Sequence, residues 1–211
     1  MALRLLQNRR NYCIIQLFLV SFLMVINTMA APAIASGSLS RAENWFNSLK
    51  TISADFVQIA SDGTVANGKL YFRRPSSMKI IYEDGQLLNM TTTPVWLHVD
   101  QPSERSVVSY PIRETPLALI LEETVRLRVD GYQTRELQKR AGIVRIEVSK
   151  DAGEGAGRLT LEFTENPFVL RRWIIVDAAG IETSVMLQNA VFDRPIPDKT
   201  FHVPVYRDND R

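Results

Sequence analysis

The sequence predicts a mainly β fold of the α+β class: an incomplete, strongly curved antiparallel β-barrel covered by short lid helices. Three observations carry this expectation. Short runs of β-branched and aromatic residues recur along most of the chain with period-two patterning. Asx-Gly and related pairs separate the runs, as the positive φ angles of tight hairpins require. One short segment is helical in pattern and apolar on nearly every side, so it must pack into something.

The chain opens with a targeting segment. Arg4, Arg9 and Arg10 stand without acidic neighbours, Ile14 to Ile26 is an apolar run interrupted only by Gln16 and Ser21, and Ala33-Ile34-Ala35 follows. Positive start, apolar run and A-x-A site in that order describe a secretory signal peptide. The run is shorter than the ~20 residues of a spanning helix. Residues 1–35 are therefore expected to be removed, leaving residues 36–211 as a single domain in the periplasm. Cys13, the one cysteine of the chain, precedes the apolar run. The processed protein thus carries neither a disulfide nor an acylated cysteine of its own.

The mature part begins with Ser40-Arg41-Ala42-Glu43, a capping-box pattern. Leu39, Ala42, Phe46 and Leu49 follow at helical spacing. Strand patterns come next: Ile52 to Phe56, Leu70 to Phe72, Met78 to Tyr82, Val95 to Val99, Val125 to Val129, Ile143 to Val148, Leu159 to Phe163, Trp173 to Val176 and Val185 to Phe192. Asp62-Gly63, Asn67-Gly68, Asp84-Gly85, Asp130-Gly131 and Ala179-Gly180 mark turns. The exception is Thr115-Pro116-Leu117-Ala118-Leu119-Ile120-Leu121-Glu122-Glu123, with Thr115 at the N-cap and Pro116 at the first helical position. It reads either as a lid over the open mouth of the sheet or as an ordinary plug closing one end.

Charge and composition exclude several function classes. The chain has 25 basic and 23 acidic side chains, and loss of the three signal arginines leaves 22 against 23, a net of −1. A near-neutral surface argues against nucleic acid as a partner. His98 and His202 have no metal-ligand spacing to other ligands, and no nucleophile elbow is present. Gly153-Glu154-Gly155-Ala156-Gly157 precedes a strand pattern where a dinucleotide motif needs a helix, so it reads as a hairpin loop. Glu122-Glu123 reads as solvated surface. No enzyme activity, metal or cofactor is expected.

Lys69 to Tyr82 is the most informative stretch. Strand alternation puts Leu70, Phe72 and Arg74 on one face, and Met78, Ile80 and Tyr82 on one face of the next strand. If the two faces coincide, Arg74 ends an apolar inner wall. Its guanidinium needs carbonyl or carboxylate partners, and the free carbonyls at the end of the Thr115 helix would serve. Arg74 is then a lid latch, and otherwise a turn-flanking surface charge like its neighbour Arg73.

The order and spacing of several motifs resemble the periplasmic outer-membrane lipoprotein carriers of the LolA type. They are the opening helix, Ala54-Asp55-Phe56-Val57-Gln58, Gly68-x-Leu70-x-Phe72-x-Arg74-Pro75, Tyr82, Thr115-Pro116-Leu117-x-Leu119-Ile120, Asn189-x-x-Phe192 and Phe201. The resemblance implies an apolar cavity for lipoprotein acyl chains, walled by Phe56, Phe72, Met78, Ile80, Tyr82 and Trp96, with Trp45 beside them. It implies a lid of Thr115, Pro116, Leu117, Leu119 and Ile120 with Arg74 as its latch. Implied partners are acylated lipoproteins, an inner-membrane lipoprotein-releasing ABC transporter and, where present, an outer-membrane acceptor, with the carrier itself a monomer. Met78 stands where the family often has an aromatic residue, and Val203-Pro204-Val205-Tyr206 lacks the family's Pro-x-Gly. An envelope sensor or interaction module on the same fold, without cargo delivery, is the alternative reading.

Overall fold

The structure is a computed structural model and describes residues 35–83, 88–137, 141–153 and 156–206. The expected signal segment lies outside the described residues apart from Ala35, and so does the Asp84-Gly85 turn.

Helix α1 (Ala35–Ser48) buries Leu39, Ala42 and Phe46 along one stripe, continued by Leu49. This is the expected amphipathic helix, but not the expected cap. The helix begins at Ala35, so Ser40 is an internal exposed residue. Glu43 is engaged elsewhere: its Oε1 accepts the backbone N–H of Leu127 at 2.7 Å.

Eleven strands then form one antiparallel sheet: β1 (Thr51–Ala60), β2 (Val65–Arg73), β3 (Ser77–Tyr82), β4 (Asn89–Thr92), β5 (Trp96–Gln101), β6 (Ser106–Pro111), β7 (Gln133–Glu136), β8 (Ile143–Lys150), β9 (Gly157–Thr164), β10 (Val169–Val176) and β11 (Glu182–Phe192). The strand order β6-β5-β4-β3-β2-β1-β11-β10-β9-β8-β7 describes two meanders joined where the first strand pairs with the last. Among the described residues β6 and β7 are edges that do not pair with each other, so the sheet is open. This is the incomplete, curved antiparallel architecture expected from the patterning.

The topology explains the cover. Residues 112–132 connect β6 to β7, which are opposite edges of the same sheet. A connection between two edges must cross one face, and this one carries α2 (Ala118–Leu121) with Leu119, Ile120 and Leu121 buried. The helix is shorter than expected. Its N-cap is Leu117, not Thr115, whose hydroxyl instead donates back to the carbonyl of Ile112 at 2.9 Å. Val125 to Val129 is not a strand. Its apolar residues alternate because Val125 and Leu127 are buried in the core while the residues between face outward.

Asn67-Gly68 is not a turn either. Gly68 lies inside β2, between Phe56 of β1 and Tyr82 of β3. A Cβ there would stand 2.0 Å from the Ile81 carbonyl oxygen and 2.8 Å from the Phe56 ring. The glycine makes room for an edge-to-face contact of Phe56 with Tyr82, ring centroids 5.3 Å apart. Gly63, Gly131 and Gly180 do sit at positive φ in turns, as expected. The glycine-rich segment ending at Gly157 joins β8 to β9 as a hairpin, with Lys150 paired to Gly157. Strands β4, β6 and β7 have no counterpart in the sequence reading. They are four to six residues long and rich in Thr, Ser, Asn and Gln.

Candidate functional site

The register settles whether the two faces of the β2–β3 hairpin coincide. Leu70 pairs with Ile80 and Phe72 with Met78, so all four point to one side, and all are buried. That side is the inner face, where α1 and α2 lie. Between them and the sheet is an entirely apolar cavity of about 20 Å³, lined by Phe46, Ile52, Leu70, Phe72, Met78, Ile120, Leu170 and Trp173. That is little more than the about 10–15 Å³ needed to seat one water molecule. The chamber is therefore largely filled by its own side chains.

The cover is held at the hairpin turn by polar contacts. Arg74 Nη1 donates to the Ile120 carbonyl at 3.3 Å, and Nη2 donates to the Glu123 carbonyl at 2.6 Å and to Asn47 Oδ1 at 3.4 Å. Ser76 Oγ donates to the Leu121 carbonyl at 3.1 Å. These are the carbonyls a helix end leaves without intrahelical partners. Burial pulls the Arg74 pKa down, and the nearby Glu123 carboxylate opposes it. The turn is itself braced, because Thr92 Oγ1 donates to the Ser76 carbonyl at 2.6 Å and accepts the Met78 N–H at 2.8 Å.

Helix α1 holds the segment after α2. Asn47 Nδ2 donates to the Val125 carbonyl at 2.9 Å, and the Val125 N–H donates to Asn47 Oδ1 at 2.8 Å. One turn earlier, Glu43 accepts the Leu127 N–H. The residues from Ile120 to Leu127 are thus attached to the rest of the protein by side-chain to backbone bonds, not by strand pairing.

The structure brings together some of the expected site residues and not others. Phe72, Met78 and Ile120 line the cavity. Phe56, Ile80 and Tyr82 are buried in the same core further along the inner wall, with the Tyr82 hydroxyl donating to Gln58 Oε1 at 2.7 Å. Leu117 and Trp45 are partly buried against that core, and Leu119 and Pro116 are buried. Trp96 does not belong to this group. It is 43% exposed, and strand alternation with His98, across from Thr91 and Lys79, puts it on the outer face.

Sequence reasoning missed Phe46, Ile52, Leu170 and Trp173 as lining residues, because nothing local shows which distant strands meet beneath the lid. It missed Asn47 for a different reason. A polar residue at the end of a helix reads as solvated, and only its spacing of four from Glu43 hinted at a shared polar face. Arg73 is also more than a surface charge. It is held by the Asp198 carboxylate and lies 4.6 Å over the Phe201 ring, on the face opposite Arg74.

Among the described residues no group of three or more His, Asp or Glu side chains could hold a metal ion, and no helix is long and apolar enough to cross a membrane. Residues 47–204 match the family described as outer membrane lipoprotein carrier protein LolA. No curated protein matches the chain. Similar solved structures include an uncharacterized conserved protein from Thermus thermophilus, with 11% identity over 80% of this chain and 93% of that one and a TM-score of 0.49. A LolA superfamily protein from Nitrosomonas europaea has 10% identity over 80% and 97%, with a TM-score of 0.47. A chain of the Pseudomonas aeruginosa MucA/MucB complex has 13% identity over 82% and 62%, with a TM-score of 0.47.

Proposed function

We propose, from the premise that this chain belongs to the LolA family of outer membrane lipoprotein carrier proteins, that it is a periplasmic carrier of acylated lipoproteins. It accepts them as they leave the inner membrane and shields their acyl chains on the way to the outer membrane. The carrying observation is the small, entirely apolar chamber whose cover is fastened by Arg74 to the carbonyls of Ile120 and Glu123.

The energetics follow from that arrangement. Burying acyl chain stabilises a complex by ~0.8 kcal/mol per CH₂, so an always-open groove would not release its cargo. Leu119, Ile120 and Leu121 are buried against the inner face. Opening breaks the Arg74 and Ser76 hydrogen bonds and exposes apolar wall, which offsets part of the gain from cargo. Cargo shifts the population toward the open form only by its differential affinity for that form. Arg74 is the latch, and the segment from Thr115 to Ile120 is the lid.

A second feature supports the reading. Through the pairs Ile80–Met90, Met90–Val99 and Val99–Val108 the inner face continues to edge strand β6. There Val108 is 43% and Tyr110 48% exposed, an apolar margin leading out from the covered chamber. The carrier would engage a lipoprotein-releasing ABC transporter and, where present, an outer-membrane acceptor.

The test uses inner-membrane spheroplasts carrying an acylated lipoprotein, with an unacylated form as control. Acyl-dependent release into a soluble complex with the purified protein is the expected outcome. Absence of release, with protein folded and transporter active, would move the assignment to an envelope interaction module without cargo delivery.

A further inference from the structure

The outer face of the sheet carries a lysine in an unusual position. Lys79 is only 7% exposed, although it points away from the apolar chamber. It is covered because the chain after β11 folds back as a strap across β1 to β5. The strap is pinned at its start, where Thr51 Oγ1 donates to the Arg194 carbonyl at 2.7 Å. Arg73 holds its middle through Asp198 and Phe201. At its end the Tyr206 hydroxyl donates to Asp100 Oδ1 at 2.7 Å.

Between strap and sheet lies a cleft of about 700 Å³, open to solvent, with Lys79, Tyr71 and Ser53 on its floor, Lys199, Thr200 and His202 on the strap side, and Ile81, Ile196 and three prolines completing its walls. Among the described residues no carboxylate lines it. The Lys79 ammonium can donate three hydrogen bonds, and the one acceptor it meets is Thr91 Oγ1 at 2.8 Å. Burial pulls the Lys79 pKa down and the Asp100 carboxylate opposes this, but among the described residues no carboxylate is within ion-pair distance of Lys79. Both Asp100 oxygens are already taken, one by Tyr206 and the other by Asn89 Nδ2 at 3.0 Å. A buried ammonium that no carboxylate touches directly is costly. Here it faces a roomy cleft with a second lysine, an imidazole and hydroxyl groups.

We propose that this cleft is a binding site for a phosphate-like oxyanion, with Lys79 as its buried charge and Lys199 on the opposite wall. The anion completes the unfilled donor capacity of Lys79 and is retained because neither wall presents a competing carboxylate. The same chemistry fits a free phosphate group or the phosphodiester of a lipid headgroup.

The experiment measures thermal unfolding of the processed protein with and without inorganic phosphate, for the parent, Lys79→Met and Lys199→Gln. Binding to the native state raises Tm by linkage. Phosphate is expected to raise Tm of the parent, with an affinity at least about tenfold weaker in Lys79→Met. Lys79→Met alone is expected to be at least as stable as the parent in phosphate-free buffer, since it removes a buried charge that has no direct ion pair. If that variant does not fold, Lys199→Gln, at an exposed site, decides the question by the same loss of affinity. Flotation with phosphatidylglycerol or phosphatidylcholine vesicles separates the sources. Capture by phosphatidylglycerol vesicles alone, lost in Lys79→Met, assigns a lipid headgroup, while a phosphate response without vesicle capture assigns a soluble anion. No response to either probe, or an equal phosphate response in parent and Lys79→Met, overturns the proposal.

Discussion

The Asn47 carboxamide and the Val125 peptide unit bind each other from both sides, with donor and acceptor on each, at 2.9 and 2.8 Å. Val125 is fully buried, so its N–H and carbonyl have no access to water as a substitute. Replacing Asn47 with leucine leaves two buried backbone groups unpaired, each costing about 1–3 kcal/mol. The expected result is a Tm lower by roughly 2–4 °C per kcal/mol. Amide exchange should accelerate at Val125 and Leu127 while the β1–β2 amides stay protected. Unchanged exchange at Val125 would show that the pair does not hold the cover.

Arg74→Leu removes two hydrogen bonds to the cover and one to Asn47 of α1 at once. Its first effect is on the closed state: exchange from Ala118 to Val125 is expected to rise about tenfold or more, the equivalent of ~1.4 kcal/mol. In the spheroplast assay the variant should still take up acylated cargo but release it poorly to acceptor membranes. Arg74→Lys, with a point charge in place of the fork, should fall between the two. A leucine variant that cycles like the parent would sink the latch.

Gly68→Ala tests the inner wall. The added Cβ meets the Ile81 carbonyl oxygen, which belongs to backbone and cannot move aside. Overpacking of this kind costs typically about 1–3 kcal/mol, and the Phe56–Tyr82 contact must shift as well. A variant with parental Tm would contradict the close approach described at this position.

The outer face of the second meander predicts acid sensitivity. Glu162 is nearly buried between Arg172, which bonds both its carboxylate oxygens, and Arg145. Burial pushes its pKa up, but the hydrogen bonds from Arg172 and then Arg145 outweigh it, leaving the carboxyl below its ordinary value of 4.5. A group with a depressed folded-state pKa adds stability above its unfolded value and loses it as pH falls through the folded one. Glu162→Gln is therefore expected to be less stable than the parent near pH 7. Below about pH 4.5 the difference should narrow, as read from urea midpoints at each pH. Parallel pH profiles for the two proteins would rule out this carboxylate as the source.

The sheet was legible where strands are long and half-buried. From Leu70 to Tyr82 alternation grouped the residues of each strand by face, because one buried face enforces a strict period of two, and only the register showed that the two faces coincide. The short strands β4 and β6 left no such trace, because β4 is mostly polar and β6 has no clearly buried face, so their pairing is imposed by neighbours. Val125 to Val129 misled for a related reason: alternate burial mimics a strand even when α1, not a strand, supplies the hydrogen bonds. Gly68 misled because Asn-Gly is a turn pair only where the chain is free to reverse, and here it is sandwiched between two strands. The partners of Arg74 were foreseeable in kind, as helix-end carbonyls. Asn47, Ser76 and the far wall of the chamber depended on long-range packing that no local pattern records.

The unpaired edges β6 and β7 set the mechanics of the sheet. In a closed barrel, strand number and shear together fix the radius, and a wider bore requires breaking a ladder of hydrogen bonds. Here no ladder closes the ring among the described residues. The sheet can flatten or tighten by spreading small changes of twist over its strand pairings, leaving each of them intact. A carrier of the proposed kind would use that freedom to fit contents of different girth on one scaffold.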